Sequence, residues 1–141
     1  VKGYLLDTNI LSELRKGKRC HPGVAGWFEK VDEQDIFLSV LVIGEIRSGI
    51  ERIRRRDPKA AVDLDAWLKT IVTGYESRIL PITQAIAQEW GKINVPNPVS
   101  TVDGLLAATA KVHDLTLITR NVKDIQNVTV EFYNPFTYEL D

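Results

Sequence analysis

Residues 4–11 read Tyr-Leu-Leu-Asp-Thr-Asn-Ile-Leu, an apolar run that passes into a carboxylate and then into a Thr/Asn pair of the helix-capping kind. Such a run, with no polar alternation, needs protein interior on both sides and predicts a central strand of a parallel sheet. Asp7 then stands at the strand's carboxyl end, where open α/β sheets place their ligands. The pattern recurs along the chain. A first strand at Lys2–Leu6 is followed by short apolar runs at Ile36–Leu38, Arg78–Ile82, Leu115–Thr119 and Val128–Phe132. Segments of helical period separate them. The expected architecture is a three-layer α/β/α sandwich around a parallel sheet of four to five strands, one domain over residues 1–141.

The helices carry their own boundaries. Thr8 to Lys16 is helical with a stop at Gly17, and Pro22 opens a helix reaching about Asp32. Ser39 caps a helix over Val40–Arg55. Asp57-Pro58 is a cap followed by a first-turn proline, so the two helices around it form a long hairpin. Thr83 caps a helix to Ile93, the Pro-rich 94–101 segment is a loop, and Val102–His113 is a helix rich in small residues.

Composition removes several function classes. The formal net charge is −1, so the chain is no polycation that holds nucleic acid by charge alone. Cys20 is the single cysteine, which agrees with a reducing compartment. No apolar segment approaches the ~18 residues of a membrane span. The start, Val1-Lys2-Gly3-Tyr4, has no signal-peptide core, and the expected location is the cytoplasm. No phosphate loop, GxGxxG, GxSxG or zinc spacing is present, and His21 and His113 sit in no ligand pattern.

Polar residues instead gather at strand ends and helix starts. Asp7 follows strand one, Glu45 is early in the helix after strand two, and Asp103 is near the start of the small-residue helix. Asn121 follows strand four, with Asp124 three residues on. Singly, each has a bland reading: Asp7 as a helix cap, Glu45 as a solvated side chain. Asp103 shares a helix face with Leu106, Ala107 and Ala110, and a carboxylate buried there needs a basic side chain or a metal ion. As a set the acids repel one another unless a divalent cation neutralises them, and all-oxygen donors suit Mg²⁺ or Mn²⁺. Such a site activates water and steadies a leaving oxygen in phosphodiester hydrolysis.

Leu-Leu-Asp-Thr-Asn at 5–9, Gly-Glu-Ile-Arg at 44–47, Val-Asp-Gly-Leu-Leu-Ala-Ala-Thr-Ala at 102–110 and Leu-Ile-Thr-Arg-Asn-Val-Lys-Asp at 117–124 together resemble PIN-domain ribonucleases. The resemblance is to the VapC-type toxins of toxin–antitoxin modules and their FitB-like members, and Asn134-Pro135-Phe136 adds to it. It spans essentially the whole chain, with the motifs in the family's order. It implies an acidic pocket for Mg²⁺ or Mn²⁺, endonucleolytic cleavage of RNA, inhibition by a cognate antitoxin, a homodimer, and operator DNA bound only through the antitoxin. Carried over by position, Asp7, Glu45 and Asp103 are the metal acids. Thr8, Asn9 and Thr119 are supporting residues, and Asn121 completes the catalytic set; Asp124 reads either as a supporting acid that turns inward to compensate for Asn121 or as a solvated pair with Lys123. Family members often carry aspartate where this chain has Asn121, so the expectation is one firmly held metal and a second bound weakly or only with RNA.

The densest basic block is Arg47, Arg52, Arg54, Arg55, Arg56 and Lys59. It reads either as the wet face of the hairpin or as a track for RNA phosphates. Trp67, Tyr75 and Trp90 read as core residues, with dimer or antitoxin contact as the alternative. Two rivals stand beside the ribonuclease. A receiver-like domain would need an adjacent acidic pair and a late lysine, where this chain has Thr119-Arg120-Asn121. A degenerate PIN fold would bind RNA or protein without cutting, and Asn121 keeps that reading open.

Overall fold

Five short parallel strands carry the chain, and their order places the acid of the opening run at the centre. A computed structural model describes residues 2–140. Its strands are β1 (Tyr4–Leu6), β2 (Ile36–Ser39), β3 (Ile79–Leu80), β4 (Thr116–Ile118) and β5 (Phe132–Tyr133). They form one sheet in the order β3-β2-β1-β4-β5, all parallel. Leu5 pairs with Phe37 on one side and with Leu117 on the other. Leu5 and Leu6 are fully buried, as a central strand covered on both faces requires.

The strand order explains the layers. From β1 the chain steps outward to β2 and β3, then returns to lay β4 on the other side of β1. Right-handed crossovers in opposite directions put their helices on opposite faces. Accordingly α1 (Thr8–Leu14), α2 (Pro22–Lys30), α3 (Val40–Arg54) and α4 (Pro58–Gly74) pack among themselves. A second set holds α5 (Gln84–Ile93), α6 (Thr101–Val112) and the short α7 (Val122–Ile125), with α6 lying on β1 and β4. The direction of winding reverses between β1 and β4. The crevice at their carboxyl ends is therefore the place such a sheet offers a ligand.

Local chemistry sets the helix starts. Ser39 Oγ accepts from the Leu41 amide at 3.0 Å, Asp57 Oδ1 from Ala60 at 3.1 Å and Thr83 Oγ1 from Ile86 at 3.2 Å. His21 Nδ1 caps α2 by accepting from the Gly23 amide at 3.0 Å, with Pro22 in the first turn. Gly17 has φ +61°, the left-handed conformation that ends the first helical segment. The fifth strand lies later than the sequence predicts. The Val128 amide bonds back to Ile125 at 2.9 Å, which folds 128–130 onto α7 and leaves Phe132–Tyr133 to pair with β4. Strands one and three are shorter than expected, because only Tyr4–Leu6 and Ile79–Leu80 find partners.

Candidate functional site

Asp7 is 5% exposed at the β1–β4 crevice, and three donors orient its carboxyl. Its Oδ1 accepts from the Thr8 amide at 2.7 Å. Its Oδ2 accepts from Thr119 Oγ1 at 2.7 Å and from Asn9 Nδ2 at 3.4 Å. Thr119 is 1% exposed at the end of β4, so the two central strands lock together through this bond as well as through Asp7 N–H to the Ile118 carbonyl at 2.9 Å. The Thr119 hydroxyl accepts in turn from the Asn121 amide at 3.0 Å. Asn9 Oδ1 accepts from the Arg120 amide at 3.3 Å. The cap reading of Asp7 is realised by one oxygen, which caps α1, while the other oxygen takes the Thr119 and Asn9 donors in the crevice.

Glu45 and Asp103 reach the same crevice, each on a hydroxyl of its own. Thr8 Oγ1 donates to Glu45 Oε1 at 2.5 Å, which ties α1 to α3. Ser100 Oγ donates to Asp103 Oδ2 at 2.6 Å. Ser100 is the residue before α6 and makes no capping bond there, its hydroxyl being spent on Asp103. Sequence reasoning missed Ser100, although a serine three residues ahead of an acid at a helix start is a legible signal. Asp103 is half-buried rather than enclosed, because the first turn of α6 opens to solvent. Thr8 was expected to support Asp7; its amide does so, and its hydroxyl serves Glu45.

The electrostatics fit a cation. The Asp7 carboxyl is pushed above the usual carboxylate range, chiefly by burial, against the Thr119 and Thr8 hydrogen bonds, and the Asp103 and Glu45 charges push it further up. None of the ion pairs among the described residues involves Asp7, Glu45 or Asp103. Glu45 Oε2 and Asp103 Oδ1 accept no side-chain hydrogen bond there either. The set offers hard oxygen donors and uncompensated negative charge, which suits Mg²⁺ or Mn²⁺. Among the described residues the acids do not stand in a closed cage of three.

Other expected residues lie elsewhere. Asn121 is exposed, and what it contributes to the network is its amide. Asp124 is exposed on α7; its amide donates to the Asn121 carbonyl at 3.1 Å, while its carboxyl makes no hydrogen bond or ion pair among the described residues and does not turn inward to replace the missing fourth charge. The basic block also needs correction. Arg47 Nη1 donates to Asp65 at 2.7 Å and Glu51 at 3.0 Å, and Arg54 Nη2 reaches Asp65 at 2.7 Å and its Nε reaches Glu51 at 3.0 Å. These two arginines tie α3 to α4 through Asp65. Arg52 donates to Ser48 at 2.9 Å, while Arg55 and Arg56 are exposed. Arg54 lies about 14 Å along the helix axis from Glu45. The aromatics pack inward: Tyr75 is buried with its hydroxyl on Glu33 at 3.2 Å, Trp67 lies under Arg15, and Trp90 lies against Gly104.

Comparisons with known proteins agree with this fold. The PIN domain family matches residues 4–130. The chain is 28% identical over 137 residues to Toxin FitB of Neisseria gonorrhoeae, covering 94% of this chain and 97% of that protein. The crystal structure of FitAcB from the same organism superposes with a TM-score of 0.87 at 28% identity, over 95% of this chain and 99% of that one. Ribonuclease VapC14 of Mycobacterium tuberculosis is 38% identical over 64 residues, which is 45% of this chain and 61% of that protein. A toxin–antitoxin complex from Klebsiella pneumoniae matches with a TM-score of 0.66 at 26% identity, over 98% of this chain and 100% of that one.

Proposed function

The chain belongs to the PIN-domain family, and from that premise we propose that it is a metal-dependent endoribonuclease serving as the toxin of a toxin–antitoxin module. The observation that carries the reading is the buried Asp7, charge-uncompensated and faced by Glu45 and Asp103 at the crevice where the sheet changes direction. Asp7, Glu45 and Asp103 would hold Mg²⁺ or Mn²⁺, which when bound supplies an activated water and stabilises the leaving oxygen of phosphodiester hydrolysis. The surrounding hydroxyls do the positioning. Thr119, Thr8 and Asn9 fix the Asp7 carboxyl, Thr8 fixes Glu45 and Ser100 fixes Asp103, so each acid is aimed before a ligand arrives.

With three carboxylates and an amide at 121, one metal is held firmly and a second weakly or only with RNA. Titrating Mn²⁺ into the protein and finding two equally tight sites would contradict this. The names of similar proteins support the partners: one is a ribonuclease, one a toxin, and one structure a toxin–antitoxin complex. The partners are RNA as substrate, a cognate antitoxin, and a second copy of the chain in a homodimer, with operator DNA reached only through the antitoxin. No helix among the described residues is long and apolar enough to cross a membrane, and the proposed location is the cytoplasm.

The test is cleavage of total cellular RNA with Mg²⁺ or Mn²⁺, with and without EDTA, followed by mapping of the new ends. Discrete internal cuts that vanish with EDTA support the reading. A second reading, a PIN fold that binds RNA without cutting, draws on Asn121; RNA binding with no metal-dependent cuts would favour it.

A further inference from the structure

A metal at the three acids would serve the phosphate that is cut, whereas flanking phosphates are held by fixed cations at the pocket's rim. Arg120 stands there. It is the residue between Thr119, which bonds Asp7, and Asn121, and its amide is tied to Asn9 Oδ1. Its side chain is placed as firmly as its backbone. The guanidinium carbon lies 4.4 Å from the centroid of the Phe136 ring, the shortest of four such contacts, which otherwise run from 5.1 to 5.8 Å. A guanidinium attracted to a ring face spends no N–H on a conventional acceptor there and keeps its donors for an anion. Arg120 is exposed, donates no side-chain hydrogen bond among the described residues, and takes part in none of their ion pairs.

Phe136 is itself anchored. It lies in the 3₁₀ turn Pro135–Thr137, where Asn134 Oδ1 accepts from its amide at 3.0 Å and the His21 ring lies 4.9 Å away. The turn packs on α2 at Gly23, where a Cβ would stand 2.8 Å from the Pro135 carbonyl oxygen. The turn at Pro135–Thr137 therefore braces the cation that follows Thr119, the residue that bonds Asp7.

We propose that Arg120, held over the Phe136 ring, grips an RNA phosphate flanking the one that is cut, with Phe136 as its positioning residue. The proposal rests on the ribonuclease reading. It differs from the expected basic track in its address: the charge that matters sits on the crevice rim, not on the α3–α4 hairpin.

The experiment uses fluorescein-labelled single-stranded RNA of mixed sequence, with EDTA present to prevent cleavage, over a range of KCl. Wild type is compared with Arg120→Met, Arg120→Lys and Phe136→Leu, each first shown to melt cooperatively. Arg120→Met should weaken binding about tenfold and reduce the slope of log K against log[KCl] by about 0.7, the loss of one phosphate contact on a single strand. Arg120→Lys and Phe136→Leu should keep the slope and weaken binding about threefold, since charge remains and the brace is lost. With Mn²⁺ added, the loss should appear in KM, with kcat held, as for an interaction made equally in ground and transition states. Arg120→Met that cuts RNA with wild-type KM and binds with wild-type slope overturns the proposal and leaves the ribonuclease reading intact. Wild type that neither binds nor cuts RNA overturns both.

Discussion

Replacing Thr119 by valine removes one oxygen atom and keeps the side chain's shape, which makes it a sharp probe of the Asp7 network. The hydroxyl donates to Asp7 Oδ2 at 2.7 Å inside the protein, and Thr119 is 1% exposed. A hydrogen bond to a charged partner contributes about 1.5–3 kcal/mol, and Asp7 has no basic group to compensate its loss. The second bond, from the Asn121 amide, ends on an exposed residue that water can serve, so its loss adds little. For a domain of this size the melting point should fall by about 4–10 °C in metal-free buffer at neutral pH.

The effect has a pH signature. Removing the donor takes support from the ionised carboxyl, so the Asp7 pKa, already raised by burial, rises further. The destabilisation is therefore full above the Asp7 pKa and shrinks as the pH falls through it, where the protonated carboxyl no longer needs the donor. Differential scanning calorimetry on Thr119→Val and Thr119→Ser, in chelator, checks both points. Serine should retain most of the pH-dependent part. A valine variant that melts with wild type at neutral pH, or whose deficit is the same in acid, would refute the reasoning.

Three further outcomes follow from the same structure. Asp7→Asn removes the charge whose pKa is raised, so the pH dependence that charge causes should disappear in the metal-free variant. Wild type should lose stability as the pH climbs through the Asp7 pKa and the variant should not; a variant whose melting point falls with rising pH over the same range as wild type would contradict this. Arg47→Ala with Arg54→Ala should lower the melting point and leave single-stranded RNA affinity unchanged, because both arginines are engaged with Glu51 and Asp65; a loss of RNA binding with a flatter salt slope would restore the hairpin as an RNA track. Gly23→Ala places a methyl 2.8 Å from the Pro135 carbonyl and 3.1 Å from that of Tyr138, both backbone, and should cost about 1–3 kcal/mol in thermal stability. An unchanged melting point would mean that the C-terminal turn yields freely.

What the sequence disclosed follows from the range of the forces involved. Helix starts at Ser39, Asp57 and Thr83 are decided within four residues, and all three cap as expected. The convergence of Asp7, Glu45 and Asp103 was legible because strand ends in a parallel sheet share one edge. The partner each acid would take was not. Thr8 serves two acids at once and Ser100 abandons its cap for Asp103, choices fixed by the packing of α1 on α3 and by the loop ahead of α6. The arginine block misled for a related reason. A run of like charge says nothing of the acids opposite it, and Asp65 comes from α4, across the hairpin. Arg120 carried no signal of its own, since its brace lies sixteen positions further along the chain, in the turn at Phe136.

If the crevice acids hold the metal that cuts RNA, the rate of RNA cleavage in Mn²⁺ by Asp7→Asn and Asp103→Asn beside wild type reads it most directly, with each protein's fold confirmed by its melting curve. Wild type should cleave, and both variants should fall to background rates. Cleavage that survives both substitutions would contradict it.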